Sequence, residues 1–91
     1  MQVRWTSTAA DDLENIANYL FEKTPENAVR LIREIYTAPT TLKDFPNRGR
    51  AGKKEGTREL VMHSLPYVIV YQVRGDTVHV VRILHGSQDQ P

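Results

Sequence analysis

Arg82 and His85, three residues apart in the run Arg82-Ile83-Leu84-His85, are the most chemically capable pair in this 91-residue chain. A guanidinium holds a phosphate through paired N–H groups, and an imidazole moves a proton near neutral pH. Together they suit a phosphodiester partner. The plainer reading is that Arg82 pairs with Glu59 or Asp89 across a sheet, and the sequence weights the two readings equally. A second charged group lies upstream: Arg48, Arg50, Lys53, Lys54 and Arg58 fall within eleven residues, opposed by Glu55 alone. Several phosphate contacts from such a cluster supply salt-dependent affinity for nucleic acid, and the same charges suit an acidic protein. On charge alone a solvated loop is the simpler account.

Other chemistries are excluded by residue type and spacing. Gly49-Arg50-Ala51-Gly52-Lys53-Lys54 superficially matches a phosphate loop, but Lys54 stands where a serine or threonine should ligate magnesium, and the segment leads into a strand pattern. Nucleotide binding is rejected. Arg74-Gly75-Asp76 lies between two β-patterned runs and reads as a hairpin turn in which Gly75 tolerates positive φ. His63, His79 and His85 lack metal-ligand spacing; in a regular strand His79 and His85 share a face but stand ~20 Å apart. The chain contains no cysteine, which removes disulfides, thiolate nucleophiles and cysteine-type zinc sites together. No cofactor is implied.

Composition bounds the rest. The length suits one domain over residues 1–91 with one core, and 40% hydrophobic and 25% charged residues fit a globular protein. The N-terminus, Met1-Gln2-Val3-Arg4-Trp5, lacks a signal-peptide core, and no apolar run approaches the ~20 residues of a membrane span, so a soluble, cytoplasmic protein without membrane contact is expected. The formal net charge is +1, yet the halves meeting at Phe45/Pro46 carry −2 and +3. The basic excess sits in the loop just described.

The elements that must position these groups follow from periodicity. Ala9, Leu13, Ile16, Ala17 and Leu20 lie on one helical face, with Ser7 or Thr8 placed to cap and Asp11, Asp12 and Glu14 near the positive end of the dipole, predicting a helix over Thr8 to Glu22. Thr24-Pro25-Glu26 reads as the start of a second helix, whose stripe runs through Ala28, Leu31, Ile32, Ile35, Ala38, Leu42 and Phe45. Pro39 predicts a kink near Tyr36 to Pro39, and Pro46 ends the helix. Beyond the loop the period becomes two. Thr57 to His63, Tyr67 to Val73 and Thr77 to Leu84 predict a three-stranded antiparallel meander, to which Val3 to Trp5 adds a short strand at an edge. The expected fold is α+β, a helical hairpin packed on a small twisted antiparallel sheet in the order β-α-α-β-β-β. Val78, Val80 and Leu84 alternate with Val81 and Ile83, so both sheet faces read as substantially apolar, and two helices cover only one. An exposed apolar face points to a protein partner or a dimer.

The runs Phe45-Pro46-Asn47-Arg48-Gly49-Arg50, Gly56-Thr57-Arg58-Glu59-Leu60-Val61, Leu65-Pro66-Tyr67-Val68-Ile69-Val70-Tyr71 and Arg82-Ile83-Leu84-His85-Gly86-Ser87-Gln88 resemble the RelE/ParE toxins of bacterial type II toxin–antitoxin modules. Trp5, Ala9-Ala10-Asp11-Asp12-Leu13, Ile16 and Tyr19 extend the resemblance over essentially the whole chain. It implies a toxin held inactive by a cognate antitoxin that folds onto helices and sheet and buries the second apolar face. RelE-like members cleave mRNA in the ribosomal A site, and ParE-like members poison DNA gyrase without chemistry of their own. The positions matching the RelE catalytic groups are Glu59, Val61, Val68 and Gln88, none of them basic, so that set does not transfer. A histidine near the end of the last strand serves some ribonuclease relatives, and His85 matches it, with Arg58 or Arg82 holding the phosphate. The resemblance favours a ParE-like toxin, with a RelE-like ribonuclease and a degenerate, non-toxic antitoxin binder as alternatives. Arg58, Arg82, His85 and Gln88 are the candidate toxic-site residues, and Arg48, Arg50, Lys53 and Lys54 the candidate surface for DNA, RNA or an acidic antitoxin.

Overall fold

The computed structural model describes residues 1–86. Its elements are β1 (Gln2–Trp5), α1 (Ser7–Lys23), α2 (Ala28–Thr37), a 3₁₀ helix (Ala38–Lys43), β2 (Arg50–Ala51), β3 (Arg58–Val61), β4 (Tyr67–Arg74) and β5 (Thr77–His85). The strands form one sheet in the order β1-β5-β4-β3-β2. The expected α+β layer of helical hairpin and meander is present. The sheet is mixed, however, because β1 runs parallel to β5, with Gln2 opposite Thr77 and Trp5 opposite Val80. The parallel edge follows from the path of α1 and α2, which carry the chain across the sheet before it returns. The meander itself is antiparallel. β2 was not expected: two residues are too few to show a period.

Helix boundaries moved where side chains compete for the caps. Thr6, in extended backbone, caps α1 in place of Ser7 or Thr8, its Oγ1 accepting from the Ala9 N–H at 3.1 Å. The chain stays in the sheet up to this residue, since the Thr6 N–H donates to the Val80 carbonyl at 3.0 Å. With the helix starting at Ser7, Asp11, Asp12 and Glu14 all fall beyond the first turn, where the dipole has little hold on them. Thr24-Pro25-Glu26 does not start α2. Thr24 closes α1 instead, its N–H donating to the Leu20 carbonyl at 2.8 Å, and Asn27 turns back onto Thr24 before the helix begins at Ala28.

The expected kink at Pro39 is a change of helix type. A proline lacks the N–H that the α-helix would use, and the chain tightens into 3₁₀ winding from Ala38 with Pro39 in its first turn. Ala28, Ile35, Pro39 and Leu42 are buried along this path. Phe45 is not. The 3₁₀ helix ends at Lys43, two residues before Phe45, and Phe45 is 64% exposed, against the core position its spacing predicts.

One irregularity decides which residues face the helices. Tyr71 pairs with Val80 but Val70 pairs with Arg82, so Val81 is an unmatched residue in β5, a β-bulge. The bulge re-phases the strand. Val78, Val80, Ile83 and His85 therefore share a face with Tyr67, Ile69, Tyr71 and Val73, while Leu84 lies on the other face, which corrects the regular alternation. It also separates His79 from His85. Tyr67, Ile69, Val80 and Ile83 pack with Ala9, Leu20, Ala28 and Ile35, and Tyr71 and Val78 pack with Leu42. The opposite face holds Val61, Val68, Val70 and Leu84 beside Glu59, Gln72, His79 and Arg82, so it is mixed and not continuously apolar. Most large apolar side chains left exposed belong to α1, α2 and the loop after them: Tyr19, Phe21, Val29, Tyr36 and Phe45.

The turns behave as their glycines suggest. Gly75 has φ 60 and begins the two-residue β4–β5 loop, which suits a type II′ hairpin. Gly49 serves a different need: a Cβ there would lie 2.7 Å from the Tyr71 ring and 2.8 Å from the Glu59 carbonyl oxygen. Both neighbours are buried. Gly49→Ala is accordingly expected to destabilise the fold by about 1–3 kcal/mol, the usual range for overpacking a tight site. Urea denaturation of the two proteins measures it.

Candidate functional site

The basic groups singled out in the sequence fall into two separate places. The first is the start of the loop that carries β2. Tyr71, without solvent exposure, donates its hydroxyl hydrogen to the Pro46 carbonyl at 2.7 Å and accepts from the Gly49 N–H at 2.9 Å. Arg58 reaches the same stretch, its Nη1 lying 2.8 Å from the Gly49 carbonyl oxygen and 3.4 Å from that of Asn47. Arg50 pairs with Glu59 through Nε and Nη2, both 2.8 Å from one carboxylate oxygen. Glu59 is only 4% exposed, and a carboxylate that deep requires a paired charge. Two of the candidate arginines thus hold backbone or a buried acid.

The second place is the end of β5, where β1 has already stopped and the strand edge needs other partners. Thr6 Oγ1 donates to the Val81 carbonyl at 3.2 Å while it caps α1, using both halves of its hydroxyl. Six residues further along, in the second turn of α1, Asp12 Oδ2 accepts from the Ile83 N–H at 2.9 Å. The same carboxylate takes Arg82 in a two-pronged pair, Nε to Oδ2 at 2.8 Å and Nη2 to Oδ1 at 3.3 Å. Arg82 is therefore paired with a helix residue and not with Glu59; Asp89, the other expected partner, lies outside the described residues. The bond to Asp12, helped by the opposite charge and partly offset by burial, raises the Arg82 pKa further, so the guanidinium stays charged at any working pH.

His85 closes this end of the sheet. It stands opposite Tyr67, and the two rings meet edge to face with centroids 5.8 Å apart. Burial, and secondarily the neighbouring Tyr19 phenol, raises the Tyr67 pKa above the ordinary tyrosine value. Gln88 lies outside the described residues. Arg48, Lys53 and Lys54 are exposed and form no ion pair among the described residues.

Among the described residues, Arg58 and Arg82 do not share one site. Arg58 stands opposite Tyr71 on the helix-facing side of the sheet, whereas Arg82 stands opposite Val70 on the other, two strands away. General acid–base work on a phosphodiester needs groups converging within hydrogen-bond reach of one atom. No group of three His, Asp or Glu residues able to hold a metal ion occurs among the described residues. No helix among them is long and apolar enough to cross a membrane. The residues that sequence reasoning missed are Asp12, Glu59 and Tyr71. Asp12 left a signal: three residues after Ala9 and four before Ile16, it is an acid on the apolar stripe. Tyr71, inside a valine-rich strand, left a weaker one, since a buried phenol needs a hydrogen-bond partner.

The family model for the ParE toxin of the type II toxin–antitoxin system parDE matches residues 3–90. The chain belongs to the ParE toxin family. Toxin RelE2 of Caulobacter vibrioides is 40% identical to it over 87 residues, covering 96% of this chain and 97% of that protein. Toxin RelE1 of the same organism is 36% identical over 87 residues, covering 90% of this chain and 89% of the relative. Among solved structures, a chain of the chromosomal ParDE toxin–antitoxin system from P. aeruginosa superposes with a TM-score of 0.87 at 27% identity, over 93% of this chain and 95% of that one. The RelE/ParE resemblance carried by the sequence motifs thus holds, and the antitoxin of a ParDE-type pair is the partner class it brings.

Two outcomes follow from the end of β5. Asp12→Ala removes the acceptor of a main-chain N–H and the partner of Arg82, and is expected to cost about 2 kcal/mol with faster amide exchange at Ile83. A protonated Tyr67 suits its buried place and the unfolded chain ionises first, so stability is full below the ordinary tyrosine pKa of 10.0 and falls as the pH rises above it. Denaturation midpoints through the alkaline range show the decline, and Tyr67→Phe flattens it.

Proposed function

We propose that this ParE-family toxin arrests bacterial growth by inhibiting DNA gyrase, without chemistry of its own, and is neutralised in the cytoplasm by its cognate antitoxin. The observation that carries the reading is the commitment of the arginines to structure. Arg58 holds main-chain carbonyls and Arg82 holds Asp12. A ribonuclease needs a base, an acid and a cation aimed at one phosphate. The positions that match the RelE catalytic set within the described residues are Glu59, buried against Arg50, and Val61 and Val68, which carry no proton and no charge.

A RelE-like reading retains one supporting observation. His85 lies at the end of β5, edge to face with the Tyr67 ring, and an imidazole moves a proton near neutral pH. The names of relatives do not choose, since two are called RelE and the family is called ParE. The physiological order of events does. With the chain induced alone in bacteria, pulse labelling is expected to show DNA synthesis falling within minutes and before protein synthesis. An earlier fall in protein synthesis, abolished by His85→Ala, supports mRNA cleavage, and an absence of any growth defect supports a non-toxic antitoxin binder.

A further inference from the structure

The segment from Asp44 to Arg50 is a surface loop held from below at Pro46, Asn47 and Gly49 and closed on itself between Phe45 and Arg48. Tyr71 bonds the Pro46 carbonyl and the Gly49 N–H, Arg58 bonds the carbonyls of Asn47 and Gly49, and the Arg48 N–H donates to the Phe45 carbonyl at 3.1 Å. The absence of a Cβ at Gly49 lets the loop lie directly on the Tyr71 ring. Loops usually leave such groups to water. Here the sheet fixes the backbone, and the result is that Phe45 is displayed: at 64% exposure it is the most exposed large apolar side chain among the described residues. A phenylalanine left in water forgoes the free energy of burial, and a mobile loop would let it fold back.

Phe45 and Pro46 help to form a shallow, open groove of about 620 Å³, completed by Asp44, Asn47 and Arg48. Its walls are mostly carbon. Arg48 lines the groove, and Lys53 and Lys54 follow further along the same loop; all three are exposed and none is in an ion pair among the described residues. An apolar platform with a positive margin is complementary to a negatively charged chain that bears an apolar anchor. The ParDE-type comparisons bring a protein as the partner class, and a protein segment supplies an apolar anchor as well as negative charge.

We propose that this groove seats an acidic segment of the cognate antitoxin, with one large apolar side chain packed on Phe45 and Pro46 and its carboxylates meeting Arg48, Lys53 and Lys54. The proposal rests on the reading of the chain as a toxin neutralised by an antitoxin, and adds where and by what chemistry one part of that partner docks. The Tyr71 hydroxyl is then a positioning group. It holds the platform in its bound form before the partner arrives, so less ordering is lost on association.

The test uses the full chain and its cognate antitoxin, both purified, with affinity read by calorimetry and main-chain protection by hydrogen exchange. Wild-type chain is expected to show slowed exchange over residues 44–50 on binding. Phe45→Ala, an exposed substitution that leaves the core intact, is expected to weaken binding at least tenfold, and Arg48→Glu by a similar factor that shrinks in high salt. Tyr71→Phe is expected to speed exchange of residues 46–50 in the free chain and to weaken binding severalfold, which a platform without a positioning role does not do. Full-affinity binding by Phe45→Ala and Arg48→Glu, with no protection of the loop, overturns the proposal and leaves the toxin reading standing. Loss of growth arrest in Phe45→Ala with antitoxin affinity unchanged assigns the groove to the target and overturns it too. Binding of a single-stranded oligonucleotide that is lost in Phe45→Ala, while antitoxin affinity is unchanged, has the same effect. No binding of the antitoxin by wild-type chain removes both readings.

Discussion

Asp12 accepting the Ile83 N–H is the contact on which the rest of the arrangement depends. β5 is the centre of the molecule's connectivity, lying between β4 and β1 and beneath α1, yet β1 ends beside Val80 and leaves Val81 to His85 with an open edge. An open edge beneath a helix leaves main-chain groups without ladder partners, and each such group is costly unless a side chain or water answers it. Thr6 and Asp12, six residues apart on the cap and second turn of α1, answer the Val81 carbonyl and the Ile83 N–H. A helix terminus is thereby fastened to a strand in register. The bulge at Val81 turns Ile83 into the core, so one carboxylate holds both the docking of α1 and the facing of the strand end that carries Arg82 and His85.

The second constraint works at the other side of the sheet in the same way. Tyr71, Arg58 and Glu59 all project from β4 and β3 into the chain between Pro46 and Arg50, and all spend their polar atoms on it. Three arginines, Arg50, Arg58 and Arg82, are held by the fold at these two sheet edges. Charge remains where the loop faces outward, at Arg48, Lys53 and Lys54, and aromatic surface remains at Phe45, as it does on the helices at Tyr19 and at Tyr36, which stacks on Trp5 with centroids 5.6 Å apart. These are features of a surface that binds macromolecules.

How much of this is legible in the sequence depends on the range of the interaction responsible. The helical stripe and the alternating runs are local patterns that recur every turn or every second residue, and they place α1, α2 and the three meander strands within a few residues. The bulge is one extra residue with no compositional mark, and it is why Leu84, read with Val80, lies on the opposite face. Thr24 reads as a cap from its neighbours alone, but its N–H is taken by α1. Phe45 keeps the helical phase and loses its burial because the 3₁₀ helix stops first. The candidate-site residues are visible as residue types, while their partners are not: Arg82 to Asp12 spans 70 positions and Tyr71 to Pro46 spans 25. No periodicity reports such pairs. Family resemblance reached further than physics here, because a whole pattern of weak motifs can be recognised before any one contact is known.

The central claim is that a fold with its arginines built into structure acts on its target by binding. Supercoiling of relaxed plasmid by purified DNA gyrase, with and without the purified chain, tests it most directly. The account predicts inhibition accompanied by accumulation of gyrase-linked broken DNA. Unimpaired gyrase, together with cleavage of mRNA on programmed ribosomes by the same preparation, contradicts it.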